Sequence, residues 1–173
     1  MRTYLVTGGA GFIGSNYIHY MFKKYGDTIR IINVDVLTYA GNLSTLESVM
    51  DNANFRFVKA DICDREAVEK LFEEERPDIV VNFAAESHVD NSIKNPFVFT
   101  QTNVIGTHTL LEAAKQFWGE GSENKFIHVS TDEVYGTLGE EGYFTETSPI
   151  QPNSPYSASK ASSDLIALAY CET

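Results

Sequence analysis

Tyr4-Leu5-Val6-Thr7-Gly8-Gly9-Ala10-Gly11-Phe12-Ile13-Gly14-Ser15 joins a short apolar run to a helical pattern carrying Phe12, Ile13, Tyr17 and Met21. Strand, glycine turn and helix, in that order, is the setting in which a glycine-rich loop holds a pyrophosphate. Gly9, Gly11 and Gly14 satisfy G-x-G-x-x-G, while Gly8, Gly11 and Gly14 give the sister spacing G-x-x-G-x-x-G. Such glycines allow a tight turn, close approach of backbone to phosphate, and close packing of the helix on the sheet. The helix adds its unpaired N–H groups and the positive end of its dipole. Alone, the turn would also suit a purely structural connection between strand and helix. The rest of the chain has to decide.

The helix after the turn should end near Tyr25-Gly26-Asp27, with Gly26 as its C-cap. Ile29 to Val34 is a second β-branched run, of the kind buried on both faces of a parallel sheet. It ends in Asp35, about 20 residues beyond the turn, where an acid is expected to accept hydrogen bonds from an adenosine ribose. A carboxylate there repels a 2′-phosphate, and no arginine follows closely, so NAD is favoured over NADP. Ser44-Thr45-Leu46-Glu47 has the form of a capping box opening a short helix. Phe55 to Lys59 is the third strand, with Asp61 and Ile62 at its carboxyl end. Asp64 should cap a helix through about Glu75, stopped by Pro77, whose Glu73-Glu74-Glu75 run reads as a solvated face. Ile79 to Phe83 is the fourth strand and leads into the small residues Ala84-Ala85. Asn95-Pro96 should open a long helix to about Trp118. Lys125 to Val129 is the fifth strand, and Tyr156-Ser157-Ala158-Ser159-Lys160 opens a final helix. Strand and helix alternate throughout, which predicts an α/β fold: a Rossmann-type doubly wound parallel sheet of order 3-2-1-4-5.

The 173 residues suit one such domain. With 13 basic and 24 acidic residues the net charge is −11, which argues against a nucleic-acid or anionic-membrane surface. Any phosphate site must then be built locally, from backbone amides or a few cations. No stretch approaches the roughly 18 apolar residues of a membrane span, and the N-terminus enters a strand at once, so a cytoplasmic protein without signal peptide is expected. Cys63 and Cys171 are read as reduced structural thiols, and no metal is expected, since His19, His108 and His128 lack partners at ligand spacing.

Tyr156 and Lys160 are four apart at a helix start and share a face. A neighbouring ammonium favours the phenolate, so Tyr156 is expected to be lowered and able to take a proton from a hydroxyl whose carbon loses hydride. Thr131-Asp132-Glu133 follows the fifth strand. Two adjacent carboxylates are costly in a dry site unless used or paired, which marks them as an acid–base pair. A turn capped by Asp132 is the plain alternative.

With the glycine turn and Asp35, the Tyr156/Lys160 pair resembles the extended short-chain dehydrogenase/reductase family. Five stretches, Gly8–Ser15, Leu37–Leu43, Ala84–Asp90, Thr131–Gly136 and Tyr156–Ala161, resemble its nucleotide-sugar 4,6-dehydratases of the dTDP-glucose type. The resemblance implies dTDP-glucose as substrate, with Tyr156, Lys160, Thr131, Asp132 and Glu133 catalytic. Tyr156 would deprotonate the C4 hydroxyl, helped by Thr131; Glu133 would take the C5 proton; Asp132 would protonate the departing C6 hydroxyl. It also implies that Gly8, Gly11, Phe12, Ile13 and Gly14 meet the pyrophosphate. Asp35, Leu37 and Thr38 would hold the ribose, and Asp61 and Ile62 would lie by the adenine. Ala84, Ala85, Ser87 and Thr102 would flank the cofactor, as would Tyr156 and Lys160, and Ser87 and Thr131 would touch the sugar nucleotide. His88 is expected to be a hydrogen-bonded loop residue. Asn91 stands where the dehydratase pattern carries arginine, removing one cation from the rim. Family members continue past the final helix into a carboxyl-terminal substrate domain, so residues 1–173 are expected to be the NAD-binding part, weak or inactive in isolation. A homodimer is expected by the same resemblance. A nucleotide-sugar 4-epimerase, which needs no acid–base pair, and a non-catalytic dinucleotide-binding module are the other readings.

Overall fold

The computed structural model describes residues 1–119 and 121–172. Five parallel strands, β1 (Arg2–Thr7), β2 (Ile29–Asp35), β3 (Phe55–Lys59), β4 (Ile79–Asn82) and β5 (Lys125–His128), lie in the order β3-β2-β1-β4-β5. The predicted sheet is the observed one. Its register sets Leu5 beside Ile32 and Val80, and Val6 beside Asn33 and Val81. Side chains alternate across a strand, so consecutive apolar residues feed opposite faces. Leu5, Ile32 and Val80 pack under α2 (Arg65–Glu75) and the helix over Thr107–Phe117, while Val6, Ile31 and Val81 pack under α1 (Phe12–Tyr25). Both faces are therefore dry, which is why these strands read as apolar runs.

Local signals explain most boundaries. Gly26 ends α1 with φ of 52°, and its N–H donates to the Phe22 carbonyl. Asp64 caps α2 by accepting the Ala67 N–H at 3.1 Å. Before β3, Leu43–Val49 is a 3-10 helix, but its cap is Asn42, which accepts the Ser44 N–H, and not Ser44. The capping-box reading is corrected by one turn residue.

Three further readings change. The glutamate run is not wholly solvated: Glu75 is buried and bonded to both Arg30 of β2 and Arg56 of β3. The end of α2 tucks under the sheet edge, and two guanidinium groups compensate the carboxylate's lost hydration. Residues after His88 form a short helix, α3 (Val89–Lys94), for which the sequence reading had no element. The long helix begins with Pro96 at its first turn as α4 (Pro96–Phe99), opens into a π-helical stretch over Thr100–Gly106, and closes as α5 (Thr107–Phe117). A wide turn of this kind re-aims side chains; here Thr102 faces the cleft while Asn103 points into protein. The last helix, α6 (Pro155–Glu172), packs beside α5 and the π stretch. No helix among the described residues is long and apolar enough to cross a membrane.

Candidate functional site

The carboxyl ends of β1, β2 and β4 open into a cleft of about 820 Å³. Its floor is the glycine turn, whose backbone N–H groups are held by one carbonyl and two side chains of β2. Gly8 donates its N–H to the Val34 carbonyl at 2.8 Å, Gly9 to Asn33 Oδ1 at 3.1 Å and Ala10 to Asp35 Oδ2 at 2.9 Å. Gly8 has φ of +68°, and a Cβ on it would lie 2.7 Å from the Ala84 nitrogen. A Cβ on Gly14 would lie 2.4 Å from the Gly8 carbonyl oxygen, so α1 begins as close to the turn as backbone allows. Gly11 offers no capping side chain, which leaves the first N–H groups of α1 to the cleft.

Asp35 lines the cleft and binds at both oxygens, since Oδ1 also accepts the Leu37 N–H at 2.8 Å. It therefore braces the glycine turn against the following loop, a structural duty the ribose reading did not contain. Leu37 has φ of 59° and packs its side chain into the core, so of the expected cofactor residues it alone does not line the cleft. Thr38, Asp61, Ile62, Ala84, Ala85, Ser87 and Thr102 all do. His88 is exposed; its backbone carbonyl accepts the Asn91 and Ser92 N–H groups at the start of α3.

At the far end Val129 and Ser130 bring in Tyr156 and Lys160, both buried. Thr131 accepts the Glu133 N–H and so starts the 3-10 turn Asp132–Tyr135. Burial raises the Tyr156 phenol above its ordinary value, the nearby Thr131 hydroxyl acts against this, and the charges of Glu133, Asp132 and Asp164 raise it further. The expected lowering by Lys160 is thus not the state of this chain. The Lys160 ammonium donates instead to the Val129 carbonyl at 2.6 Å, and burial brings it down to about 8. Asp132 is exposed and Glu133 half-buried, so the argument from a dry, costly pair is corrected. With Thr131 they stand on the 3-10 turn just past the cleft-lining Ser130, outside the lining itself, and their charges reach Tyr156.

Sequence reading missed the residues that come from the helix wall. Phe97, Val98 and Gln101 line the cleft from α4 and the π stretch. Glu86 accepts a hydrogen bond from the Tyr39 hydroxyl at 3.2 Å, bridging two loops. Asn103 is buried and staples the site: its Oδ1 accepts the Glu86 N–H, and its Nδ2 donates to the Glu86 carbonyl and to Ser159 Oγ. An amide within an otherwise apolar helix face was the available signal.

Burial, then the neighbouring Asp61, pushes the Cys63 thiol up to about 12. Alkylation at mildly alkaline pH is expected to be about 10³-fold slower at Cys63 than in free cysteine, because so little thiolate forms. Mass-spectrometric labelling rates check this.

A glycine-floored cleft across a 3-2-1-4-5 sheet, with tyrosine and lysine on the last helix, defines a Rossmann-type domain of the extended short-chain dehydrogenase/reductase kind. Residues 5–173 match the GDP-mannose 4,6 dehydratase family, and the chain belongs to that family. It is 56% identical over 178 residues to a dTDP-glucose 4,6-dehydratase of Xanthomonas campestris pv. campestris, covering 100% of this chain and 50% of that one. Among solved structures, the dTDP-glucose 4,6-dehydratase of Bacillus anthracis in complex with NAD is 51% identical with a TM-score of 0.86, covering 99% and 51% of the two chains. The dTDP-glucose 4,6-dehydratase DesIV of Streptomyces venezuelae, also solved with NAD, is 49% identical with a TM-score of 0.90, covering 99% and 52%. The chain spans about half the length of these relatives.

Proposed function

We propose that this chain is the NAD-binding domain, residues 1–173, of a nucleotide-sugar 4,6-dehydratase, a lyase that converts dTDP-glucose to its 4-keto-6-deoxy product and water. The observation that carries the reading is the 3-10 turn begun by Thr131, which sets Asp132 and Glu133 close enough to Tyr156 for their charges to act on its phenol. A cytoplasmic homodimer pairing through its long helices belongs to the same reading.

The residues suit NAD. The Gly8–Gly14 turn leaves room only for backbone beneath a diphosphate, Asp35 disfavours a 2′-phosphate, and Asp61 and Ile62 form the wall for the adenine. When bound, NAD would supply what side chains cannot, a hydride acceptor and donor for the sugar. Tyr156 accepts the C4 hydroxyl proton, and the Thr131 hydroxyl steadies the phenolate that does so. Lys160 supplies a fixed positive charge on the same wall. Glu133 removes the C5 proton, and Asp132 hands its own proton to the C6 oxygen, which leaves as water. The two carboxyl groups thus act on neighbouring carbons, Glu133 at C5 and Asp132 at the C6 oxygen, and Glu133 is the group placed to return a proton to C5.

A 4-epimerase would use the tyrosine and threonine but has no task for Asp132 and Glu133. The complete polypeptide incubated with NAD and dTDP-glucose is expected to give a keto sugar lighter by one water. A product of unchanged mass would replace this reading with the epimerase, and absence of any product would remove both.

A further inference from the structure

The end of the sheet beneath the cleft carries a polar network that none of these proton transfers uses. The Ala84 N–H donates to Thr7 Oγ1 at 3.2 Å, and the Thr7 hydroxyl donates to Asn82 Oδ1 at 2.6 Å. That orders the Asn82 amide, whose Nδ2 donates to Thr107 Oγ1 at 3.1 Å and faces His128 Nδ1 at 3.2 Å. An amide N–H needs an acceptor, so Nδ1 is bare and the imidazole hydrogen is on Nε2. Nε2 lies 3.0 Å from Ser163 Oγ and 3.4 Å from Asp164 Oδ1. The other carboxylate oxygen, Asp164 Oδ2, accepts the Ser130 hydroxyl at 2.5 Å. The Ser130 hydroxyl is a neutral donor that fixes the carboxylate in place without cancelling its charge; the His128 ring lies beside Asp164 Oδ1 while its hydrogen bond goes to Ser163 Oγ.

Asp164 stands four residues after Lys160, on the same face of α6. The ammonium is bound by Val129 and the carboxylate by Ser130, adjacent residues just beyond β5. We propose that Asp164 is a positioning residue of this site: held by Ser130, with His128 beside it, it is the counter-charge that steadies the buried Lys160 ammonium against the Val129 carbonyl. The role in turnover rests on the reading of Tyr156 and Lys160 given above; the electrostatics do not.

A buried ammonium with one carbonyl acceptor is poorly solvated, and a nearby anion is what can offset that loss. The elements packed on α6 offer few others. β5 and the residues after it contribute exposed Lys125 and neutral His128, and the 3-10 turn contributes Asp132 and Glu133, whose charges act on Tyr156. α3 carries Asp90 and Lys94, α4 and the π stretch carry no charged side chain, and α5 carries Glu112 and Lys115 with His108, grouped around Tyr170. Among the described residues, Asp164 is the group whose charge favours the Lys160 ammonium.

The test is an NMR titration of the Lys160 side chain in the full-length protein with isotope-labelled lysine, the resonance assigned with Lys160→Arg. The wild-type midpoint is expected at about 8. Asp164→Asn should lower it by about one pH unit, Asp164→Glu should restore it, and Ser130→Ala should give a smaller downward shift. An unmoved midpoint in folded Asp164→Asn overturns the proposal. Should that variant fail to fold, Ser130→Ala decides, and an unmoved midpoint there overturns it equally. A midpoint that shifts as expected in a protein that does not dehydrate dTDP-glucose removes the dehydratase reading and leaves the role of Asp164 standing.

Discussion

Replacing Glu133 by glutamine in the full-length protein is expected to lower turnover of dTDP-glucose by about 10²–10⁴-fold, the usual worth of a positioned general base. The change keeps the side chain's size and removes only its capacity to take a proton. The backbone N–H of Glu133, which donates to Thr131 Oγ1, is untouched, so the turn that carries Asp132 and sets Thr131 beside Tyr156 should survive. NAD affinity is therefore expected to stay at the wild-type value. Losing this carboxylate also removes one of the charges that raise the Tyr156 phenol, so phenolate should form at lower pH in the variant. Two readouts separate the base from a merely structural residue: the rate of product formation, and incorporation of solvent deuterium at C5. Undiminished turnover would remove Glu133 as the base.

Gly14→Ala is the second large effect expected, and it falls on cofactor affinity and stability together. The added methyl group would meet the Gly8 carbonyl oxygen at 2.4 Å and Gly9 Cα at 2.7 Å. Both are backbone atoms of a turn already tied to β2 through Asn33, Asp35 and Val34, so no flexible side chain can yield. Forcing α1 away from the turn should cost roughly 1–3 kcal/mol of stability. If the same displacement is carried into the diphosphate cradle, affinity for NAD falls by about tenfold for each 1.4 kcal/mol. Gly119→Ala is the control: nothing lies within 4 Å of its would-be Cβ, and a change within about 0.5 kcal/mol is expected for such a surface site. Calorimetric titration and denaturant unfolding of both variants decide it. Equal behaviour of the two would show that the turn does not approach the cofactor.

How much of this was legible before folding follows from the range of the forces involved. The strand segments, the glycine turn, the end of α1 at Gly26, the Asp64 cap and the shared helix face of Tyr156 and Lys160 are all written within a few residues of where they act. Dihedral freedom, capping and hydrophobic period are local properties, and the primary structure alone determined them. Contacts between residues distant in sequence decided the rest. Glu75 reads as one of three solvated acids until β2 and β3 bring Arg30 and Arg56 over it. Asp35 reads as a free ribose acceptor until the turn places the Ala10 and Leu37 N–H groups on it. Asn103 becomes a staple only where the π stretch turns it toward Glu86 and Ser159. The phenol of Tyr156 follows the same rule: adjacency on a helix predicts help from Lys160, but burial and three carboxylates raise it, because desolvation and electrostatic fields belong to the packed environment and not to the spacing of residues along the chain.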